Sequence, residues 1–83
     1  YYFYFETCPH CIEFDKMWKN EIIKDKTIKQ LVNTSKIHKD DKLTEKLQVD
    51  GFPCLYFSNN SKNIKFDGER NLENIKLFVN SNI

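Results

Sequence analysis

The chain has 83 residues, enough for one domain with a single core, and a domain of that size keeps a thin stability margin. Its 40% hydrophobic and 14% aromatic content is too apolar for a disordered tail. Thirteen basic and 12 acidic residues leave a formal charge of +1 scattered along the chain, so neither nucleic acid nor a membrane is an expected partner, and no apolar run approaches the ~18 residues of a membrane span.

Tyr1 to Phe5 is an unbroken aromatic run that reads as a strand buried on both faces, its rings belonging to the core. Pro9 suits the first turn of a helix, where a missing N–H costs nothing. Beyond it Cys11, Phe14, Trp18 and Ile22 recur at helical spacing, with Lys16, Lys19 and Asn20 opposite, so an amphipathic helix is expected over about residues 9–24. Residues 25–30 are polar and read as a turn or a second helical piece. Residues 31–37 form a weak strand candidate with Val32 and Ile37 as its apolar members. Asp40 or Asp41 caps a short helix carrying Leu43, Leu47 and Val49, and Gly51-Phe52-Pro53 breaks it. Cys54 to Phe57 is strongly strand-forming, and residues 58–61 have turn chemistry. Ile64 and Phe66 alternate with Lys65 and Asp67 as a partner strand that ends at Gly68. Asn71 then caps a last helix with the apolar stripe Leu72, Ile75, Leu77, Phe78 and Val79. Residues 1–83 thus read as one α/β domain. A helical crossover makes the first two strands parallel, and a hairpin makes the last two antiparallel.

Three cysteines is an odd number, which argues against a pure disulfide framework. Zinc would want about four Cys and His ligands, and neither Cys54 nor His38 forms a second pair to match Cys8, His10 and Cys11, so no metal is expected. The run Cys8-Pro9-His10-Cys11 falls where the first strand meets the first helix. A thiol attacks as its thiolate, and free cysteine titrates near ~8.5, so the anion needs stabilising. A helix N-terminus does this at Cys8 through unsatisfied N–H groups and the dipole. Cys11 lies one turn on, inside the helix and close enough for a disulfide. The expected roles follow: Cys8 attacks a substrate disulfide, and Cys11, the more shielded, resolves the mixed disulfide. His10 adds a donor beside the thiolate and a charge when protonated, favouring a more oxidising pair.

With the hairpin in place, the chain resembles the thioredoxin fold, most closely the thioredoxin and protein disulfide isomerase families. Phe3 to Cys11 resembles their first strand and active-site motif, Gly51-Phe52-Pro53 before Cys54 to Phe57 their cis-proline loop, and Phe66 to Arg70, Leu72, Phe78 and Val79 their final strand, turn and helix. The resemblance implies a minimal form of the fold, a four-stranded mixed sheet of order 2-1-3-4 flanked by about three helices. It also implies a cis Phe52–Pro53 bond against the cysteine pair, with Phe52, Pro53 and Pro9 as substrate-binding positions. Disulfide- or thiol-bearing proteins are the implied partners of a monomer, and no organic cofactor is implied, though glutathione remains a possible co-substrate.

Several positions depart from the family. Thr7 replaces the usual tryptophan before the first cysteine. Tyr2 stands where a buried acid often assists the second, so Lys36, near the family's buried lysine, loses its usual partner and reads as a surface lysine. A glutathione-dependent glutaredoxin is one alternative, weakened by Phe52 in place of the usual valine and by the single Gly68 where glutaredoxins pair two glycines. A non-catalytic binding module of the same fold is another. The Cys-Pro-His-Cys motif is similar to that of bacterial periplasmic dithiol oxidases. Cys54 reads as a small buried strand residue, and His38 and Trp18 as structural. The residues do not select a compartment: a cytoplasmic one and, if a leader before Tyr1 has been removed, a secretory one both stay open.

Overall fold

The computed structural model describes residues 1–59 and 62–83. Strand β1 (Tyr2–Tyr4) leads into helix α1 (Pro9–Met17), which widens into a π-type turn over Trp18–Ile22. Helix α2 (Lys26–Leu31), strand β2 (Lys36–His38) and helix α3 (Lys42–Lys46) follow. The hairpin strands β3 (Cys54–Asn59) and β4 (Lys62–Lys65) precede the final helix α4 (Leu72–Ser81). The sheet order is β2-β1-β3-β4, with β1 parallel to β2 and antiparallel to β3. This is the expected mixed sheet in a minimal thioredoxin fold, with four helices among the described residues where about three were expected.

Period-two alternation explains how so short a strand as β1 organises two layers: successive side chains point to opposite faces. Tyr2 and Phe3 are both fully buried. The Tyr2 ring meets Phe14 edge-on and Trp18 at a tilt, both at 4.9 Å, and Phe3 meets Tyr56 edge-on at 5.7 Å. Around Tyr2 the core adds Ile22, Ile28, Leu55, Phe57, Ile75 and Val79. At about 1.5–3 kcal/mol for each large apolar side chain removed from water, this cluster is the main stabilising term of the domain.

Four sequence expectations are corrected. Residues 31–37 are not a strand: the Asp25 carboxylate caps α2 by accepting from the Ile28 N–H at 3.0 Å, Leu31 closes that helix and Val32 is its C-cap. Only Lys36–His38 pairs as a strand, in the register Tyr2–Lys36, Phe3–Ile37 and Tyr4–His38, since β1 offers just three residues. Leu77 leaves the apolar stripe of α4 and is 59% exposed, since two residues beyond Ile75 is about 200° around a helix. Phe66 lies just past β4, although its N–H still bonds the Leu55 carbonyl at 2.8 Å. Of the turn expected over 58–61, Ser58 and Asn59 belong to β3, and residues 60 and 61 lie outside the described residues.

Caps at the other helices follow the expected chemistry. Asp41 accepts from the Leu43 N–H at 2.8 Å and Asn71 from the Asn74 N–H at 2.8 Å. Past α3, Gln48 takes a left-handed conformation (φ 56°) that stops the helix, and the chain turns back toward the cysteines.

Candidate active site

Cys8 is the N-cap of α1. Its backbone is extended (φ −79°, ψ 115°), Pro9 takes the first helical position, and the Cys11 N–H donates to Cys8 Sγ at 3.2 Å. A sulfur thus fills the place that a serine or aspartate oxygen fills at an ordinary N-cap, which is where the dipole and free N–H groups favour negative charge. Just upstream the Cys8 N–H donates to the Phe5 carbonyl at 3.3 Å, closing the tight turn out of β1. The Cys8 thiol also points to the Phe52 carbonyl, 3.7 Å away. That contact brings together two loops 44 residues apart in sequence. The Phe52–Pro53 peptide is cis, Pro53 is buried, and the Phe52 ring meets the Phe5 ring edge-on at 5.4 Å.

Exposure does not separate the two cysteines as the sequence suggests. Cys8 is 4% and Cys11 2% exposed, and both are free thiols. What separates them is hydrogen bonding and charge. Burial first, and then the hydrogen bond to Cys8, push the Cys11 thiol up to about 11. Cys11 therefore holds its proton well above neutrality, and its N–H is the donor that Cys8 Sγ accepts. The third cysteine, Cys54, is buried opposite Phe3 in β3, and burial raises its thiol as well. Pro9 and His10 are exposed in the first turn of α1, and His10 makes no side-chain hydrogen bond among the described residues.

Several residues outside the motif hold this loop. Glu6, two residues before Cys8, bonds His38 Nε2 at 2.5 Å, and the Asp40 N–H donates to the other ring nitrogen at 3.1 Å. With Nδ1 accepting, the ring proton sits on Nε2, facing the carboxylate. The hydrogen bond from His38 holds the Glu6 carboxyl below its ordinary value. His38, read from the sequence as structural, thus anchors the loop that carries Cys8 to the end of β2. Trp18 is in the core, as expected.

Lys36 is exposed, as the sequence reading has it, but it finds an acid partner that the reading did not foresee. Its ammonium is 2.5 Å from Asp15 Oδ1 and lies over the Tyr4 ring at 4.3 Å. The acid comes from α1, not from β1, where Tyr2 occupies the family position and donates its hydroxyl to the Cys11 carbonyl at 3.1 Å. The one signal available beforehand was spacing: Asp15 follows Cys11 by four residues, one turn along the same helix face.

A larger cleft of about 400 Å³ lies elsewhere, between the sheet, α2 and α4, and no Cys, His, Asp, Glu, Lys or Arg lines it. Among the described residues no group of three His, Cys, Asp or Glu side chains gathers as a metal site. No solved structure matches the chain. The family model described as Thioredoxin matches residues 1–81, nearly the full length, and with this fold and this pair of thiols the chain belongs to the thioredoxin family.

Proposed function

We propose that the protein is a thiol–disulfide oxidoreductase acting on protein substrates through Cys8 and Cys11. The observation that carries this reading is Cys8 Sγ at the N-terminus of α1, taking the Cys11 N–H at 3.2 Å while facing the Phe52 carbonyl at 3.7 Å. One sulfur is thereby placed where an anion is stabilised and where an extended substrate chain can lie along the Phe52-Pro53 loop.

In the reducing direction the Cys8 thiolate attacks a substrate disulfide, and one substrate sulfur leaves as a thiolate. Cys11 then attacks Cys8 Sγ, releases the second substrate thiol and leaves a Cys8–Cys11 disulfide. The oxidising direction is the reverse. Phe52 and Pro53 dock the substrate backbone, and Pro9, which follows Cys8 in the chain, joins them. His10, two residues beyond Cys8 and exposed, supplies a hydrogen-bond donor in the same turn and biases the pair toward oxidation.

A Cys11→Ser variant incubated with a protein disulfide is expected to accumulate a mixed disulfide through Cys8, located by peptide mass mapping. A folded variant that forms no adduct would favour a binding module over an enzyme.

A further inference from the structure

The Phe52-Pro53 loop is one wall of a cleft of about 290 Å³. Phe52, Pro53 and Cys54 line it on that side, and Lys65, Asp67 and Arg70 line it from the end of β4 onward. The hairpin brings the two walls together. Lys65 pairs with Tyr56 in an antiparallel register, so the residues after Lys65 run back past Cys54 and the loop before it. Lys65 and Arg70 are exposed, and among the described residues neither is in ion-pair contact with a carboxylate, whereas Lys19, Lys36 and Lys76 all are. Asp67 shares the cleft without bridging either base. Asp50 and Glu69, beside lining residues in the chain, do not line it. Two cations against one anion leave the lining with one positive charge in excess, directly beside the loop where substrate docks.

We propose that this cleft takes an Asp or Glu side chain of the substrate, within about two residues of its reactive cysteine, with Arg70 as the main partner and Lys65 as the second. The proposal rests on the exchange reaction put forward above and names the class of protein it acts on, one that is acidic around its disulfide. An extended chain rises about 3.3 Å per residue and sends alternate side chains to opposite faces. The substrate sulfur must meet Cys8 Sγ, which faces the Phe52 carbonyl at 3.7 Å. A chain laid along Phe52 from that point carries its next one or two side chains over the cleft.

A carboxylate is the anion this lining fits. The guanidinium of Arg70 is a planar fork that takes both carboxylate oxygens, and the Lys65 ammonium adds a point charge on the same side. One excess positive charge matches one carboxylate. A nucleic-acid backbone or a polyphosphate needs a run of cations, which the cleft lacks. A basic substrate side chain would meet two like charges and one opposite, so it is disfavoured as well as unrewarded. Arg70 also lies within electrostatic range of the thiols: burial raises Cys11 and Cys54, and Arg70 is among the charges that pull against it at each. Across the thiols the charge is already matched, because Glu6 is bonded to His38. Discrimination by charge therefore belongs to the hairpin side of the site.

The test is the second-order rate at which the reduced full chain reduces three matched peptide disulfides. The peptides carry Asp, Asn or Lys at the positions flanking the reactive cysteine. At low ionic strength the Asp peptide should react roughly fivefold faster than the Asn peptide, the upper range for an exposed ion pair, and the Lys peptide should be slowest. In about 1 M salt, where the Debye length is ~3 Å, the three rates should converge. R70Q should remove most of the preference, K65Q a smaller part, and R70E should reverse the order. Cys8 alkylation by a neutral reagent and the Asn-peptide rate should stay unchanged in all three, which shows that each is folded and keeps docking apart from reactivity. K62Q, exposed on β4 but outside the lining, should match the natural protein.

Equal rates for the Asp and Asn peptides at low salt, a preference that survives about 1 M salt, or one that R70Q and K65Q both leave in place would each overturn the role of the cleft. A charge effect seen with glutathione disulfide and absent with the peptides would overturn it too, by assigning the two bases to a small thiol. No exchange with any peptide would instead overturn the oxidoreductase reading itself, and the proposal with it.

Discussion

The two loops that meet at the thiols are built differently. Residues 5–8, between β1 and α1, deliver the reacting sulfur on a helix cap and are pinned by a carboxylate–imidazole bond to His38. Residues 51–53, before β3, carry no titratable side chain and contribute a carbonyl, a ring and a buried proline. On the proposed function, nucleophilic chemistry sits where helix N–H groups converge, and docking sits on backbone at the end of a strand. Damage to the first loop should stop the reaction. Damage to the second should weaken substrate binding and leave the sulfur reactive.

Cys8→Ser gives the largest expected effect: disulfide exchange should fall to background in a turnover assay, because no other thiol caps a helix. Residual exchange through Cys54 would break the comparison. Next comes Phe52→Ala, which removes the ring packed on Phe5 at 5.4 Å. Losing that ring from the docking loop should raise KM for a protein disulfide several-fold while Cys8 alkylation by a small reagent changes little. An equal loss in both assays would mean that Phe52 shapes the sulfur and not only the docking surface.

A pH effect separates the two redox states. Folded Cys11 holds its proton to about 11, whereas its ordinary value is 9.0. A group raised in the folded state stabilises fully below the unfolded value and loses that contribution as pH rises through the folded one. Reduced protein should therefore lose stability between about pH 9 and pH 11, seen as a falling denaturation midpoint. The oxidised protein, with no Cys11 thiol to ionise, should lack that component. The smallest effect is expected at His10, exposed at the mouth: His10→Ala should make the pair less oxidising by on the order of 30 mV.

Much of the fold was readable because strand and helix periods alternate cleanly and the caps Asp41 and Asn71 stand where a helix must start. The reactive pair was readable because both sulfurs fall within one helical turn. The ion pair beside Cys11 was not, since Asp15 and Lys36 are 21 residues apart in sequence and meet only when β2 pairs with β1. Likewise, nothing in residues 25–35 signals how few strand residues β1 can accommodate, so the start of β2 was placed too early. Cys8 was expected to be the less shielded thiol, but packing against the Phe52 loop buries it, and that loop is remote in sequence.

The central claim, that Cys8 and Cys11 work as one dithiol–disulfide couple, is tested most directly by equilibrating the protein across a series of thiol–disulfide buffers. Alkylation and peptide mass mapping then identify the linked cysteines. A single two-electron transition is expected, between about −300 and −120 mV, with Cys8 joined to Cys11 and Cys54 left as a thiol. No transition in that range, or a disulfide that engages Cys54 in place of either partner, would contradict it.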